Sequence, residues 1–481
     1  MLRLNHKMRK TALIPGLVIV FWLFFTANTS YSQIANTLSP ADKVFGLSKF
    51  WQEVNYNFAY FNNINHHAWD STYKALIPQV EATKNDYEYY RLLEKFCALL
   101  KDGHTEIAVP PIEGFNYMNN TFGDYLLVLK RIDNKVIIKR TWKKDIKKFP
   151  LGSEITQVNG LPTEQYITDS VAPYISASTD YVRADIASSM LLRGVPGSTF
   201  SIKIKKPNGE QASYILTHAT VTDSIFFPNP GEYLDEKSRS LLDQKTFDND
   251  IAYVALNSFS DVKITTHFEK LLPWLDKARG VIIDLRYNGG GDDGIAFTIL
   301  KHFIQDTVLI GSSSTIRILN PYLKAIGRYV NVADTTGNAD KRDAWLLYNG
   351  YAVYDKPGTW RSKIDQSTHK IRAPVVILIG KNTASAAEDF LIASSNQKHI
   401  VTVGEPTNGS TGMPYRFDLP GGGSARICVK KDMYPDGREF VGYGIQPNIS
   451  VVPGVKDYLE NKDVVLEAAL QYFKKKHQLR N

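Results

Sequence analysis

Cysteine is almost absent from this sequence. Two residues in 481, Cys97 and Cys428, exclude a disulfide scaffold and any Cys-rich zinc module. His-x₃-His and similar ligand spacings are also missing, and His66-His67 is a bare pair in a polar stretch, so no metal site is expected. No apolar run reaches the roughly 18–20 residues of a bilayer span; Ala12–Phe25 stops short of it and is interrupted by Pro15 and Gly16. Internal repeats and low-complexity tracts do not occur. A strong charge imbalance is lacking too. The net charge of +8 includes Arg3, Lys7, Arg9 and Lys10, and residues 1–32 hold no acid, so removing them leaves +4. That surplus is too small to indicate a nucleic-acid partner, and KKDIKK (143–148) and KKK (474–476) read as solvated faces. What is present is ordinary globular composition, with 43% hydrophobic, 12% aromatic and 22% charged residues. Disorder, collagen and coiled coil are excluded as the main class, and the length suggests about three domains.

The basic start, the apolar run and the small residues Ser30 and Ser32 form the pattern of a signal peptide over 1–32, with cleavage before Gln33. No Cys lies near that boundary, which argues against a lipoprotein. The expectation is export to a periplasmic or secreted destination, with no stable membrane insertion after signal removal. In such a compartment Cys97 and Cys428 can pair or stay as separate buried thiols, since sequence alone does not set disulfide geometry.

Residues 37–110 read as a helical module. Ser39-Pro40-Ala41-Asp42 is a helix start, after which Phe45, Leu47, Phe50, Trp51, Val54 and Phe58 recur at helical spacing. From 115 to 222 the texture is short strands, with Asn159-Gly160 and Pro207-Asn208-Gly209 as turns and a helical stretch over about 162–193. Between 245 and 460, compact apolar runs (Ile251–Leu256, Gly280–Leu285, Val375–Ile379, Ile400–Val403) alternate with helical segments, the pattern of an α/β sheet covered on both faces. Residues 311–372 interrupt it as a long insertion of the kind that forms lids or binding elements. A C-terminal helix is expected within 461–481.

Two segments at strand ends can carry chemistry. Gly380–Glu388 follows a buried strand and opens a helix, where free N–H groups favour a developing oxyanion. Ser385 there is either a nucleophile or a plain helix cap. Asp284-Leu285-Arg286-Tyr287-Asn288-Gly289-Gly290-Gly291 follows another strand. It is either a bland glycine turn or a loop whose backbone approaches a ligand closely, and without GK[ST] it is no phosphate loop. His104 sits in a Gly-His-Thr turn at a module boundary.

Asp102–Thr105, Asp284–Gly291, Thr383–Glu388, Gly404–Thr407 and Gly444–Pro447 occur in the order and spacing of one family. Over roughly 40–460 the chain resembles the carboxyl-terminal processing (tail-specific) serine proteases and their tricorn-core relatives. The resemblance implies a crotonase/ClpP-like α/β protease core, a PDZ-like domain over 115–222, Ser385 as nucleophile and peptide or protein substrates. It implies no metal or organic cofactor. In the Ser/Lys branch a lysine follows the nucleophile by 25 residues, and that position here is Ser410. The His-dependent branch fits better, with His104 as base, and an imidazole accepts a proton near neutral pH with little tuning. Tricorn-like enzymes carry a glutamate three residues before Gly-Ile-x-Pro; here that residue is Val441, and Glu439, two positions earlier on the same strand face, is the candidate third member. Glu388 reads as structural. Gly289, Gly290 and Ala386 are candidate oxyanion donors. Two rival readings are a catalytically inactive peptide-binding protein on the same fold and hydrolysis of another acyl bond.

Overall fold

The computed structural model describes residues 37–111, 120–123, 125–219 and 239–478, all within one unit, Ile34–Asn481. The leader segment over 1–32 lies outside the described residues, as do 115–119 and 220–222. Three helices open the described chain: α1 (Pro40–Asn57), α2 (His66–Glu81) and α3 (Asp86–Ala98). α1 begins where Ser39 accepts from the Asp42 N–H and the Asp42 carboxylate accepts from the Ser39 N–H, with Pro40 at the first position. Leu47, Phe50 and Val54 are its buried stripe, whereas Phe45 points outward, 60% exposed. The module's core is aromatic. Phe50 packs on Trp69, Phe96 and Phe417, and Trp69 stacks on Phe96 at 3.9 Å between ring centroids.

A short strand β1 (Glu106–Ala108) leaves this module. An antiparallel sheet follows, with β2 (Val128–Ile132), β3 (Lys135–Arg140), β4 (Glu154–Val158), β5 (Thr199–Lys205) and β6 (Gln211–Thr217) paired in that order. β5 alternates buried Phe200, Ile202 and Ile204 with exposed neighbours, a half-buried strand. The helical stretch expected over 162–193 is not continuous. A short helix at Thr163–Tyr166 passes through irregular turns to Tyr174, and helix α4 spans only Asp180–Ser189. Pro173 supplies no N–H for an uninterrupted ladder.

The remaining chain builds a six-stranded sheet from β7 (Leu242–Phe247), β8 (Ile251–Leu256), β9 (Gly280–Asp284), β12 (Val375–Ile379), β13 (Ile400–Gly404) and β17 (Ile449–Ser450). Their order is β7-β8-β9-β12-β13-β17, parallel except for the β7–β8 pair. β9 and β12 are buried along their whole length. Val281 and Ile283 join one core with helix α5 (Lys263–Glu269) and with helices α6 (Asp293–Leu300) and α9 (Ala386–Ser394), which follow β9 and β12, while Ile282 joins the opposite core under the C-terminal helix α10 (Val464–Gln478). Sequence patterning had this α/β alternation. The 311–372 insertion departs from the expected loop: the long strand β10 (Val308–Ile318), helices α7 (Pro321–Gly327) and α8 (Ala339–Tyr348), and strand β11 (Gly358–Lys363) fill most of it. β10 pairs with β11 and with β16 (Lys430–Met433), so its backbone groups are satisfied by the ladder.

A last hairpin, β14 (Pro414–Asp418) and β15 (Ser424–Cys428), pairs with β1 in the order β1-β15-β14. Phe417, Leu419, Ala425 and Ile427 are part of the helical module's core. The hairpin therefore binds the module to the sheet domain. Cys97 and Cys428 are both free and buried.

Candidate active site

Ser385 stands between β12 and α9 with φ +55° and ψ −127°. A non-glycine residue at positive φ costs on the order of 1–3 kcal/mol and persists only where its surroundings enforce it. They do so here. The Ser385 N–H donates to the Ser410 carbonyl (2.9 Å) and to Glu388 Oε2 (3.2 Å), and Ala384 N–H donates to the Asn288 carbonyl (3.1 Å). The hydroxyl is thereby turned away from its own helix and lies 3.1 Å from His104 Nε2, across 281 residues of sequence. A sharp strand-to-helix turn that lifts a serine hydroxyl above a sheet edge is the geometry of an activated nucleophile.

His104 is held by the turn that contains it. Asp102, buried, accepts from Thr105 Oγ1 at 2.5 Å and from Ser178 Oγ at 3.3 Å, and Ser178 Oγ accepts from the Gly103 N–H. Thr105 Oγ1 in turn accepts from the Cys428 N–H of β15. The imidazole is 9% exposed. Burial, reinforced by the positive charges of Arg426 and Lys430, lowers its pKa from 6.5 to about 4. It is therefore neutral at pH 7, with a lone pair available.

The second ring nitrogen, Nδ1, lies 2.6 Å from Ser410 Oγ. For Nε2 to accept from Ser385, Nδ1 must carry the proton and donate it to that hydroxyl. The space for Ser410 depends on Gly103, because a Cβ at 103 would meet Ser410 Oγ at 2.8 Å. Ser410 is itself positioned by Glu388, whose fully buried carboxylate gathers four donors from two segments. Thr407 Oγ1 (2.5 Å) and Gly409 N–H (2.8 Å) reach one oxygen, and Ser410 N–H (3.0 Å) and Ser385 N–H reach the other. Burial pushes the Glu388 carboxyl up to about 8, with those four hydrogen bonds opposing the shift.

Two candidate residues are placed differently from expectation. Glu439 does not reach the imidazole. Its carboxylate is paired with Lys431, it is nearly half exposed, and it lines a separate cleft between the helical module and the 439–443 turn. A shift of two along a strand keeps a side chain on one face only if the segment is a strand, and 439–443 has no strand hydrogen bonding. Gly290 is adjacent to Ser385, and a Cβ there would meet Ser385 Cβ at 2.7 Å, but its N–H donates to Asn288 Oδ1. Its donor is thus already used. Gly289 and Ala386 line the same cavity as Ser385 and His104. The Ala386 N–H lies in the first turn of α9, where no helix carbonyl precedes it. Sequence reasoning passed over Ser410 as no more than a missing lysine, and Glu388 as structural. The spacing of Glu388 three residues after Ser385, facing the cap, was the available signal.

Residues 250–451 match the model of Peptidase family S41. Carboxy-terminal processing protease CtpB of Bacillus subtilis is 24% identical over 263 residues, covering 54% of this chain and 44% of that protein. A carboxyl-terminal-processing protease of Picosynechococcus is 26% identical over 264 residues, covering 54% of this chain and 50% of its own length. The chain thus spans half or less of the length of these curated relatives. Among solved structures, mature CPAF complexed with lactacystin shares the fold, with a TM-score of 0.62 at 14% identity, covering 91% of this chain and 99% of that one. Over residues 250–451 the chain is thus similar to peptidase family S41.

Proposed function

We propose that the chain is an exported serine peptidase that cleaves peptide or protein substrates through an acyl-enzyme on Ser385. The observation that carries this reading is the 3.1 Å approach of His104 Nε2 to the hydroxyl of a serine held at positive φ. In the proposed cycle, Ser385 Oγ attacks the scissile carbonyl carbon as His104 Nε2 takes its proton. The oxyanion is held by the N–H groups of Ala386 and Gly289. The imidazolium returns the proton to the leaving amine, and water then hydrolyses the ester by the same path reversed. Ser410 keeps the proton of the resting imidazole on Nδ1, and Glu388 keeps Ser410 and Ser385 in register.

We read the six-stranded sheet and its helices as a crotonase/ClpP-like protease core and the β2–β6 sheet as a PDZ-like domain that grips an extended peptide end. The signal-peptide pattern over 1–32 supports export. The test is hydrolysis of unfolded protein and of fluorogenic peptides by purified protein. Turnover that Ser385→Ala abolishes supports the reading, whereas turnover undiminished in that variant excludes Ser385 as the nucleophile.

One observation favours a second reading, a peptide-binding protein without turnover: His104 Nδ1 faces a hydroxyl, and among the described residues no carboxylate is hydrogen-bonded to the ring. A serine-directed phosphonate separates the two. Labelling of Ser385 supports the enzyme; peptide binding without labelling supports the second reading.

A further inference from the structure

The wall of the catalytic cavity that faces Ser385 includes a like-charge pair. β14 and β15 are antiparallel, and their register sets Arg416 directly opposite Arg426. Like charges directly opposed across strands are unfavourable unless something offsets them. Arg426 has its offset: it lies next in register to Glu106 of β1, and its Nε is 3.0 Å from that carboxylate. Arg416 has no ion pair of its own among the described residues, is exposed, and lines the same cavity of about 850 Å³ as His104, Ser385 and Ala386. The third cation of this wall, Lys430, is matched by Asp432 at 3.1 Å. The start of α6 in the same cavity carries Asp292 and Asp293, and Asp292 is occupied in capping the Gly294 N–H. The charge therefore runs from a basic strand wall to an acidic helix end, which would draw an anionic group toward β14.

We propose that Arg416 forms a carboxylate-binding subsite, which selects peptides carrying an aspartate or glutamate side chain near the scissile bond. This deepens the peptidase reading and rests on it for the position of the bond. A guanidinium accepts a carboxylate through two parallel N–H···O bonds. With Glu106 already held by Arg426, a substrate acid is the partner Arg416 lacks. The hairpin that carries it is fixed from behind by Phe417 and Ile427 in the helical module's core, so the guanidinium projects from a rigid strand.

The test uses a positional set of peptides with glutamate placed in turn on either side of the scissile bond, each with a glutamine twin. For the wild type, kcat/KM is expected to favour glutamate over glutamine by about tenfold at one position, a ratio that collapses toward one in Arg416→Gln and inverts in Arg416→Glu. Equal cleavage of all twins by the wild type would overturn the subsite while leaving the peptidase reading intact. Binding of the same peptides to the Ser385→Ala protein makes the test independent of turnover. Tighter, salt-sensitive binding of a glutamate peptide that Arg416→Gln abolishes supports the subsite even if Ser385 never reacts. Indifference to the twins in this assay would overturn it.

Discussion

At the scale of single residues, the proposed cycle depends on a proton held on Nδ1 of His104. Ser410 is the only side chain bonded to His104 Nδ1 among the described residues, so Ser410→Ala should free the imidazole to change tautomer. The expected outcome is a fall in kcat of about 10–100-fold with KM little changed, and partial rescue in Ser410→Thr, which keeps the hydroxyl. The depressed imidazole gives a second expectation. With a pKa of about 4 rather than 6.5, His104 is neutral through the mildly acidic range, so the acid limb of kcat/KM should lie near pH 4 and not near 6.5. The linkage has a definite sign. Between those two values the unfolded chain binds the proton and the folded one does not, so this residue contributes stability above the window that is lost as pH falls through it. Thermal melts of wild type and His104→Gln across pH 4–7 measure that contribution; the variant should lose less stability on acidification.

At the scale of elements, the first turn of α9 does two jobs. It presents the Ala386 N–H proposed to hold the oxyanion, and through Glu388 it ties the Ser385 turn to the 407–410 loop. Glu388→Gln would set an amide NH₂ against at least one backbone N–H that can only donate. A loss of about 2–4 kcal/mol in stability is expected, readable by denaturant unfolding, together with a large loss of activity. This scale also divides what the sequence made legible from what it hid. The strands β8, β9, β12 and β13 were readable because compact apolar runs suit a sheet covered on both faces. Ser385 and His104 could be put forward because their short motifs occur, with three others, in the order and spacing of one family, whereas each motif alone left its residue's role open. The role of Ser410 was hidden, because it comes from a loop folding back onto Glu388 rather than from spacing. Glu439 misled for the complementary reason: alternation was assumed where the chain is irregular. The β14–β15 hairpin and the strands within 308–363 went unread because their partners lie far along the chain, and β-pairing of that kind leaves only a weak local signal.

At the scale of the whole molecule, His104 and Ser385, the two groups proposed to react, lie 281 residues apart and meet because the helical module, β1 and the β14–β15 hairpin share one hydrophobic core. Lys49 Nζ donates to the Asp418 carbonyl, Tyr90 Oη to that of Pro420, and the Ala59 N–H to that of Cys428, which adds polar fastening to that core. Damage to the module should therefore reach the catalytic centre. Phe50→Ala, which removes a fully buried ring packed on Phe96 and Phe417, should cost about 3–5 kcal/mol. It should also reduce acylation of Ser385 at temperatures where the sheet domain is still folded, as circular dichroism and probe labelling on one sample would show. The most direct measurement is the rate at which a phosphonate probe modifies Ser385, located by peptide mass mapping, in wild type and in His104→Ala. The expected result is a single adduct on Ser385 that forms at least about 100-fold more slowly without the imidazole. Equal rates in the two proteins, or an adduct on another serine, would contradict the pairing of His104 with Ser385.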